Sequence, residues 1–540
     1  MDISNNTPPC GPESVDVLVI GAGFAGMYAV IRARRTGRTV RGVEAAFGVG
    51  GVWYWNRYPG ARCDVESIDY SYSFDDELQR EWQWSERYAT QPEILRYAEY
   101  VAARFELADL IDFGRHVDSA VLDERTQTWH VATTQGDRYI ARYIMFATGS
   151  LSVPNLPEIP GLSMFGGDVH LTAQWPADAQ LPGKRVGVIG TGSSGVQSIP
   201  IIADQASRLT VFQRTANYTV PVLNKHFGPA DRAELERGYA QRRAISWRSA
   251  AGSPHTAYPK DYWEIDDAER RAAFEARWAE GGVLFGKTFD GQTTDPGINA
   301  AARAFAEEKI RSLVRDPQTA ADLTPAGFPI GTKRICTDTG YYEAFNREHV
   351  TLVNLRREPI LDVVPDGIRT ARAHYDLDTI VLATGFDALT GALTRIRIVG
   401  TGGAEFAQSW SKGPLTYLGL AVPGFPNLFT LNGPGSPAAF SNHVMSAEQQ
   451  ADWLFELLDH CDAAGCRQVE VTESAALTWT DHVDETAART LFPQADSWYN
   501  GANIEGKVRR FMVYAGGFDT FIEKCAAVRD NGYEGFEFTG

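Results

Sequence analysis

An α/β fold built on two strand–turn–helix units, with a helical insertion in the second, follows from three observations in the sequence. VDVLVIGAGFAG (15–26) runs from an apolar strand into a glycine-rich turn, and GVIGTGSSG (187–195) repeats the pattern far downstream. From about 227 to 328 the texture changes to an Ala-, Arg- and Glu-rich composition with helical period.

In the first unit Gly21 permits a tight turn, Gly23 lets a pyrophosphate approach the backbone, and Gly26 lets the following helix pack close to the strand. The orphan amides and positive dipole end at that helix start suit phosphates. The next strand, TVRGVE, ends at Glu44, 18 residues past Gly26, where a carboxylate can accept hydrogen bonds from a ribose diol. A solvated charge at a strand end is the alternative.

The second unit carries Gly190, Gly192 and Gly195 in the same three positions, and its strand LTVFQRT ends in Arg214 and Thr215, 19 residues past Gly195. A guanidinium there pairs with a phosphate that an acid would repel, so this unit is expected to prefer a 2′-phosphorylated nicotinamide cofactor. The first site therefore reads as FAD and the second as NADPH. The fold class is α/β, with two Rossmann-like dinucleotide-binding domains (FAD and NADP) and a helical insertion in the NADP domain.

Two further strands, YIMFATGS (143–150) and TIVLATGFDA (379–388), return to the same cluster, and Gly149 and Gly385 suit close backbone crossings there. The expected FAD domain is 1–151 and 387–540, the NADP domain 152–226 and 329–386, and the insertion 227–328. Within the insertion, Ala302, Phe305, Ala306, Ile310, Leu313 and Val314 fall on one helix face, and Asp316-Pro317 marks the stop. Its aromatic residues read as core.

A chain of 540 residues exceeds what one hydrophobic core usually serves, and 44% hydrophobic with 22% charged residues is an ordinary globular composition. The net charge of -17 repels nucleic acid and acidic lipid surfaces, and no basic groove offsets it. Six cysteines, Cys10, Cys63, Cys336, Cys461, Cys466 and Cys525, show neither CxxC nor His-interleaved spacing, so no metal site or dithiol centre is expected. MDISNNTPPCGPES lacks a basic segment followed by an apolar one, and no apolar run approaches the length of a membrane span. These features predict a cytoplasmic protein, a monomer or small homo-oligomer, without nucleic-acid or membrane partners.

A flavin beside a nicotinamide passes electrons to a disulfide, to another protein or to oxygen, and the missing paired-cysteine motif favours oxygen. GGVWYWNRYPGARCDVES (50–67), the two glycine turns, the stretch around Trp175 and GTKRICTDTGYYEAFN (331–346) together resemble the flavin-dependent Baeyer–Villiger monooxygenases, nearest the phenylacetone and cyclohexanone monooxygenase branch. The likeness runs from about residue 14 through SWYNGANIEGK (497–507) to the final GYEGFEF and is weakest in the insertion. It implies O2-dependent insertion of one oxygen atom beside a ketone carbonyl, giving an ester or lactone. The rivals are a flavin monooxygenase acting on nitrogen or sulfur and a non-catalytic FAD/NADPH-binding sensor.

Such an insertion needs an anionic peroxide and a tetrahedral adduct with developing negative charge, which a fixed cation in a water-poor site stabilises. By the resemblance that cation is Arg334, held and tuned by Asp64, although surface ion pairing for Arg334 and capping for Asp64 are the ordinary alternatives. Lys333 matches a second 2′-phosphate ligand beside Arg214 and Thr215. Gly51, Trp53 and Trp55 match cofactor-binding positions, Ser193 and Ser194 complete the second glycine turn, and Gln197 and Trp498 match residues at the nicotinamide half. Solvation remains the alternative for Lys333 and a core position for Trp498. GPGSPAAFSNHVMS (433–446) resembles the loop lining the substrate site, which makes Phe440 and His443 candidate lining residues. No metal ligand set is present.

One family motif is out of register. Written FxGxxxHxxxW, it fits Phe165, Gly167 and Trp175 but puts Leu171 on the histidine position, with His170 one residue before it. In an extended segment one residue reverses the face of a side chain. Either the imidazole points to the other side, or a shortening and a bulge compensate; the bulge costs less function.

Overall fold

The structure is a computed structural model that describes residues 11–540; Cys10 and the rest of MDISNNTPPC lie outside the described residues. Strand Glu13–Ile20 turns at Gly21 into helix Phe24–Arg35 and continues to strand Val40–Glu44. Its Val17–Ile20 half is buried, as a strand with packing on both faces requires. Glu13–Ile20 pairs in parallel with Val40–Glu44 on one side and Arg138–Phe146 on the other. The sheet continues through Ile111–Phe113 at one edge and through Thr128–Thr133, Val117–Asp123 and Arg397–Val399 at the other. Leu428–Thr430 adds to the end of Arg138–Phe146, bringing the C-terminal part of the chain into this first sheet.

The second sheet is parallel throughout, in the order Val350–Asn354, Arg208–Gln213, Arg185–Ile189, Thr379–Leu382, Asp168–Leu171. Helix Ser193–Gln205 follows its glycine turn as Phe24–Arg35 follows the first. Between Thr219–Pro221 and Cys336–Asp338, which pair in parallel, lie four helices: Pro229–Ser246, Asp267–Glu280, Pro296–Leu313 and Pro317–Leu323. Ala302, Phe305, Ala306 and Ile310 are buried on one face of Pro296–Leu313, as the periodicity predicts. The insertion's aromatics form a core of their own around Phe274, Phe285, Phe289 and Phe305.

That helix stops at Leu313, before Asp316-Pro317 as expected, and Asp316 also begins the next helix by accepting Thr319 N–H at 2.7 Å. Two expectations are corrected. Gly149 and Gly385 sit at φ +71° and +80° with no atom within 4 Å of an added Cβ, so these glycines serve conformation, not close crossing. Lastly, Asp168–Leu171 pairs with Thr379–Leu382 without a register shift, so no bulge compensates the displaced histidine. His170 is buried with its ring 5.2 Å from Trp175, and Leu171 packs into the cluster of Ile189 and Leu382 on the opposite face. Along this paired segment side chains alternate, so His170 and Leu171 face opposite sides. Its Nε2 has no hydrogen-bond partner, and burial pushes its pKa down.

Among the described residues the five cysteines are free, and no helix is long and apolar enough to cross a membrane.

Candidate active site

Both glycine turns open on one cavity of about 1630 Å³. The two turns are built alike. A Cβ at Gly26 would stand 1.8 Å from Gly21 O, and one at Gly195 would stand 2.3 Å from Gly190 O. Gly21 and Gly190 share φ near +106° and +109° and press on Ala147 O and Ala383 O respectively. By contrast the middle glycines face space: Gly192 has nothing within 4 Å, and Gly23 meets only Gly51, at 3.6 Å. That open shelf at a helix N-terminus is what a pyrophosphate requires, so both units fit a dinucleotide.

Glu44 lines this cavity and is buried, not a solvated strand end. Its carboxylate accepts the N–H of Ala22 at 2.6 Å and of Ala46 at 2.7 Å, which ties the phosphate turn to the strand end. Burial raises its pKa against those two hydrogen bonds. Gly51 stands at φ +56° opposite Gly23 and starts the short helix Val52–Trp55. Trp53 is buried and donates Nε1–H to Tyr70 OH at 3.1 Å; Trp55 is 36% exposed at the cavity edge.

At the second unit's strand end Arg214, Thr215 and Lys333 come together in the cavity wall. The sequence reading missed Arg356, which donates to Arg214 O at 3.0 Å and to Thr215 Oγ1 at 3.3 Å. Arg356 follows strand Val350–Asn354, which pairs directly with Arg208–Gln213, so neighbouring strands deliver neighbouring cations. Lys333 lies 4.6 Å over the Phe328 ring, and burial lowers its pKa, with Arg214 and Arg356 acting in the same direction. Three cations that repel one another suit a dianionic phosphate.

Asp64 and Arg334, 270 residues apart, meet in a two-bond pair: Nε donates to Oδ2 at 2.8 Å and Nη2 to Oδ1 at 2.7 Å. Nη1 donates to Ala439 O at 3.3 Å. Asp64 raises the guanidinium pKa well above its already high ordinary value, against the cost of burial. Arg334 lies two residues before the Cys336–Asp338 strand starts, and Asn217 Nδ2 donates to Arg334 O at 3.0 Å, fixing its backbone. Asp64 hangs on a loop gripped from the other unit. Gln197 accepts Tyr58 O–H at 2.8 Å and donates to Arg62 O at 3.2 Å. Tyr58 lies within the 50–67 stretch, but neither it nor Asn217 is singled out by the sequence.

His443 opens helix His443–Ala463 and reaches the cavity. Asn432 Nδ2 donates to its Nδ1 at 2.9 Å and to its backbone carbonyl at 3.1 Å, so the ring proton resides on Nε2, 3.2 Å from Ser150 Oγ. Burial, reinforced by Arg334, lowers its pKa to about 4 and keeps the imidazole neutral at physiological pH. Phe440 departs from the expectation: its ring stacks on Phe492 at 4.4 Å and meets Tyr499 at 4.8 Å, while its neighbours Ala439 and Ser441 line the cavity. Ser193, Ser194 and Gln197 line the second cradle, and Trp498 closes the cavity with Asp496 and Ser497.

Two dinucleotide cradles meeting over one half-buried, acid-paired arginine define a two-nucleotide oxidoreductase. A family model described as pyridine nucleotide-disulphide oxidoreductase matches residues 18–253. The chain is 40% identical over 537 residues to a Baeyer–Villiger monooxygenase of Pseudooceanicola batsensis, covering 98% of this chain and 97% of the relative. It is 41% identical over 528 residues to a phenazine N-monooxygenase of Lysobacter antibioticus, covering 96% of each. A solved oxidized steroid monooxygenase bound to NADP superposes with TM-score 0.93 at 53% identity, covering 97% of this chain and 99% of that one. The chain belongs to the Baeyer–Villiger monooxygenase family.

Proposed function

We propose that this protein is an FAD-containing, NADPH-dependent monooxygenase that inserts one atom of O2 beside a ketone carbonyl to give an ester or lactone. The observation that carries this reading is the Arg334–Asp64 pair at the meeting point of the two cradles. When bound, NADPH supplies the reducing hydride and FAD the activated oxygen. The residues on this chain do the rest. Gly21, Gly23, Gly26 and Glu44 hold the first dinucleotide; Gly190, Gly192, Ser193, Gly195, Arg214, Thr215, Lys333 and Arg356 hold the second.

Arg334 remains charged at every working pH and would stabilise negative charge developing on a reacting oxygen, while Asp64 fixes its orientation. The neutral His443 adds no competing charge. The strands Arg397–Val399 and Leu428–Thr430 in the first sheet support assigning 387–540, with 1–151, to the FAD domain.

The test is turnover with NADPH, O2 and a small aryl or cyclic ketone, following oxygen uptake and ester by mass. Ketone-dependent uptake with ester formation supports the reading; uptake that ignores ketone and releases only hydrogen peroxide overturns it. A second reading, oxygenation of a ring nitrogen, has one observation in its favour: the N-monooxygenase relative named above. N-oxide formation that persists in Arg334→Met, with no ester from any ketone in the wild type, would establish it instead.

A further inference from the structure

The first helix of the insertion, Pro229–Ser246, carries two consecutive arginines near its end, and both grip the loop that follows Asp64. That loop, residues 66–72, forms turns without strand or helix, and its Tyr70 lines the cavity together with Asp64 and Val65. Arg242 meets charge with charge: Nε and Nη2 donate to the Asp69 carboxylate at 2.7 and 2.6 Å, and Nη2 also reaches Glu66.

Arg243 is the more buried of the two, at 7% exposure, so its charge is met by protein and not by water. Its partners are neutral. Nη2 donates to Ile68 O at 2.8 Å, to Ser71 Oγ at 2.8 Å and to Ser71 O at 3.1 Å, while Nη1 donates to Asp69 O at 3.1 Å. A buried cation without a counter-charge is unfavourable unless its donors are filled, and only the rigid fork of a guanidinium fills them on several carbonyls at once. Those carbonyls are turned toward Arg243 by the same loop that presents Tyr70 to the cavity.

One of them is shared. Asp69 O also accepts Asn442 Nδ2–H at 2.6 Å. Asn442 caps helix His443–Ala463 through Oδ1, and its own N–H donates to Ala251 O of the insertion at 2.9 Å. It stands three residues past Ala439, whose carbonyl accepts from Arg334 Nη1 at 3.3 Å, and Asp69 stands five residues past Asp64. The two groups that hold Arg334, the Asp64 carboxylate and the Ala439 carbonyl, thus hang on two loops joined at Asp69 O, and the insertion holds both loops.

We propose that Arg243 is a positioning residue for Arg334, acting through this junction, so that the helical insertion aligns the oxygenation site. This rests on the function proposed above for Arg334. The experiment uses the FAD-loaded full chain and measures ester and hydrogen peroxide formed per NADPH, with kcat and KM for the ketone. The proteins are wild type, Arg243→Met, Arg243→Lys, Asp64→Asn and the double variant Arg243→Met/Asp64→Asn.

Arg243→Met should lower kcat for ester by roughly tenfold or more, with KM changed much less, and divert product to peroxide, because a small misplacement of the cation is amplified at the reacting atoms. Arg243→Lys should fall between, since an ammonium reaches fewer of the carbonyls. The double variant should lose far less than the product of the two single effects, because both substitutions disturb the same alignment. Losses that multiply, or wild-type ester yield in Arg243→Met, overturn the proposal. Should Arg243→Met fail to hold FAD, Asn442→Ser takes its place in the same cycle: serine keeps the helix cap and removes the donor to Asp69 O, and multiplying losses there overturn the proposal equally. Absence of ester from wild type itself overturns the ketone reading, a result distinct from any difference among the variants.

Discussion

Replacing Asp64 by asparagine keeps the size of the side chain and removes its charge and one acceptor. In the native site both carboxylate oxygens accept from Arg334, at 2.8 and 2.7 Å. An asparagine can accept only one of these bonds and turns an N–H toward the other guanidinium nitrogen. Hydrogen bonds to charged groups contribute about 1.5–3 kcal/mol, and the 34% and 24% exposure of the two side chains argues for the lower half of that range.

If about 2 kcal/mol of orientation is lost where the charge develops, ester formation slows by roughly 10- to 50-fold, since about 1.4 kcal/mol corresponds to a factor of ten. Arg334 stays protonated even without Asp64, because a guanidinium titrates far above neutrality. The pH profile should therefore keep its shape. The assay measures NADPH oxidation, ester and hydrogen peroxide together, with FAD content and melting temperature as controls for folding. The variant should shift product from ester toward peroxide. Ester formation within twofold of wild type, at full FAD content, would refute the assignment of Asp64 as the residue that positions Arg334.

Other predictions follow from the same geometry. Arg356→Ala should raise KM for NADPH roughly tenfold and leave KM for NADH nearly unchanged, because only the former carries the phosphate; equal effects on both would remove Arg356 from that contact. Gly195→Ala should destabilise the second unit, as its Cβ meets Gly190 O at 2.3 Å, whereas Gly192→Ala should fold normally and bind NADP more weakly; thermal unfolding and ligand titration separate the two. Glu448 is buried against Ser73 N–H and Phe74 N–H, and burial raises its pKa from 4.5 to about 7. A carboxyl with a raised folded pKa stabilises fully below pH 4.5 and loses that contribution as pH rises through 7. Glu448→Gln should accordingly flatten the fall of melting temperature between pH 4.5 and pH 7, by an amount corresponding to roughly 1–3 kcal/mol; parallel curves for the two proteins would show that Glu448 does not titrate there.

The sequence reached some parts of this arrangement more directly than others. The glycine turns were legible because part of their requirement is local: the third glycine of each, Gly26 and Gly195, excludes a Cβ by contact with the carbonyl of the first, Gly21 and Gly190. Arg214 was legible as the end of a strand following such a turn. Arg356 was not, because its place depends on which strands lie side by side, a fact held by pairing of Val350–Asn354 with Arg208–Gln213 and not by spacing. Asp64 and Arg334 were paired through the family likeness; nothing in a separation of 270 residues implies contact. Phe440 was assigned to the cavity from its loop, yet an aromatic ring beside Phe492 and Tyr499 gains more by packing with them. The displaced histidine shows the limit of motif counting, since alternation along the strand sends His170 and Leu171 to opposite faces.

The grip of Gln197 on Tyr58 and Arg62 has a thermodynamic consequence. Gln197 belongs to the helix proposed to cradle the nicotinamide dinucleotide, and the backbone it holds leads within two residues to Asp64. Any ligand that favours one setting of that helix thereby favours one setting of the ion pair. Linkage makes the exchange symmetric: whatever NADP binding gives to the alignment of Arg334, an aligned Arg334 returns to the retention of NADP. The nucleotide is then a working part of the arginine's scaffold, and its departure would leave that scaffold slack.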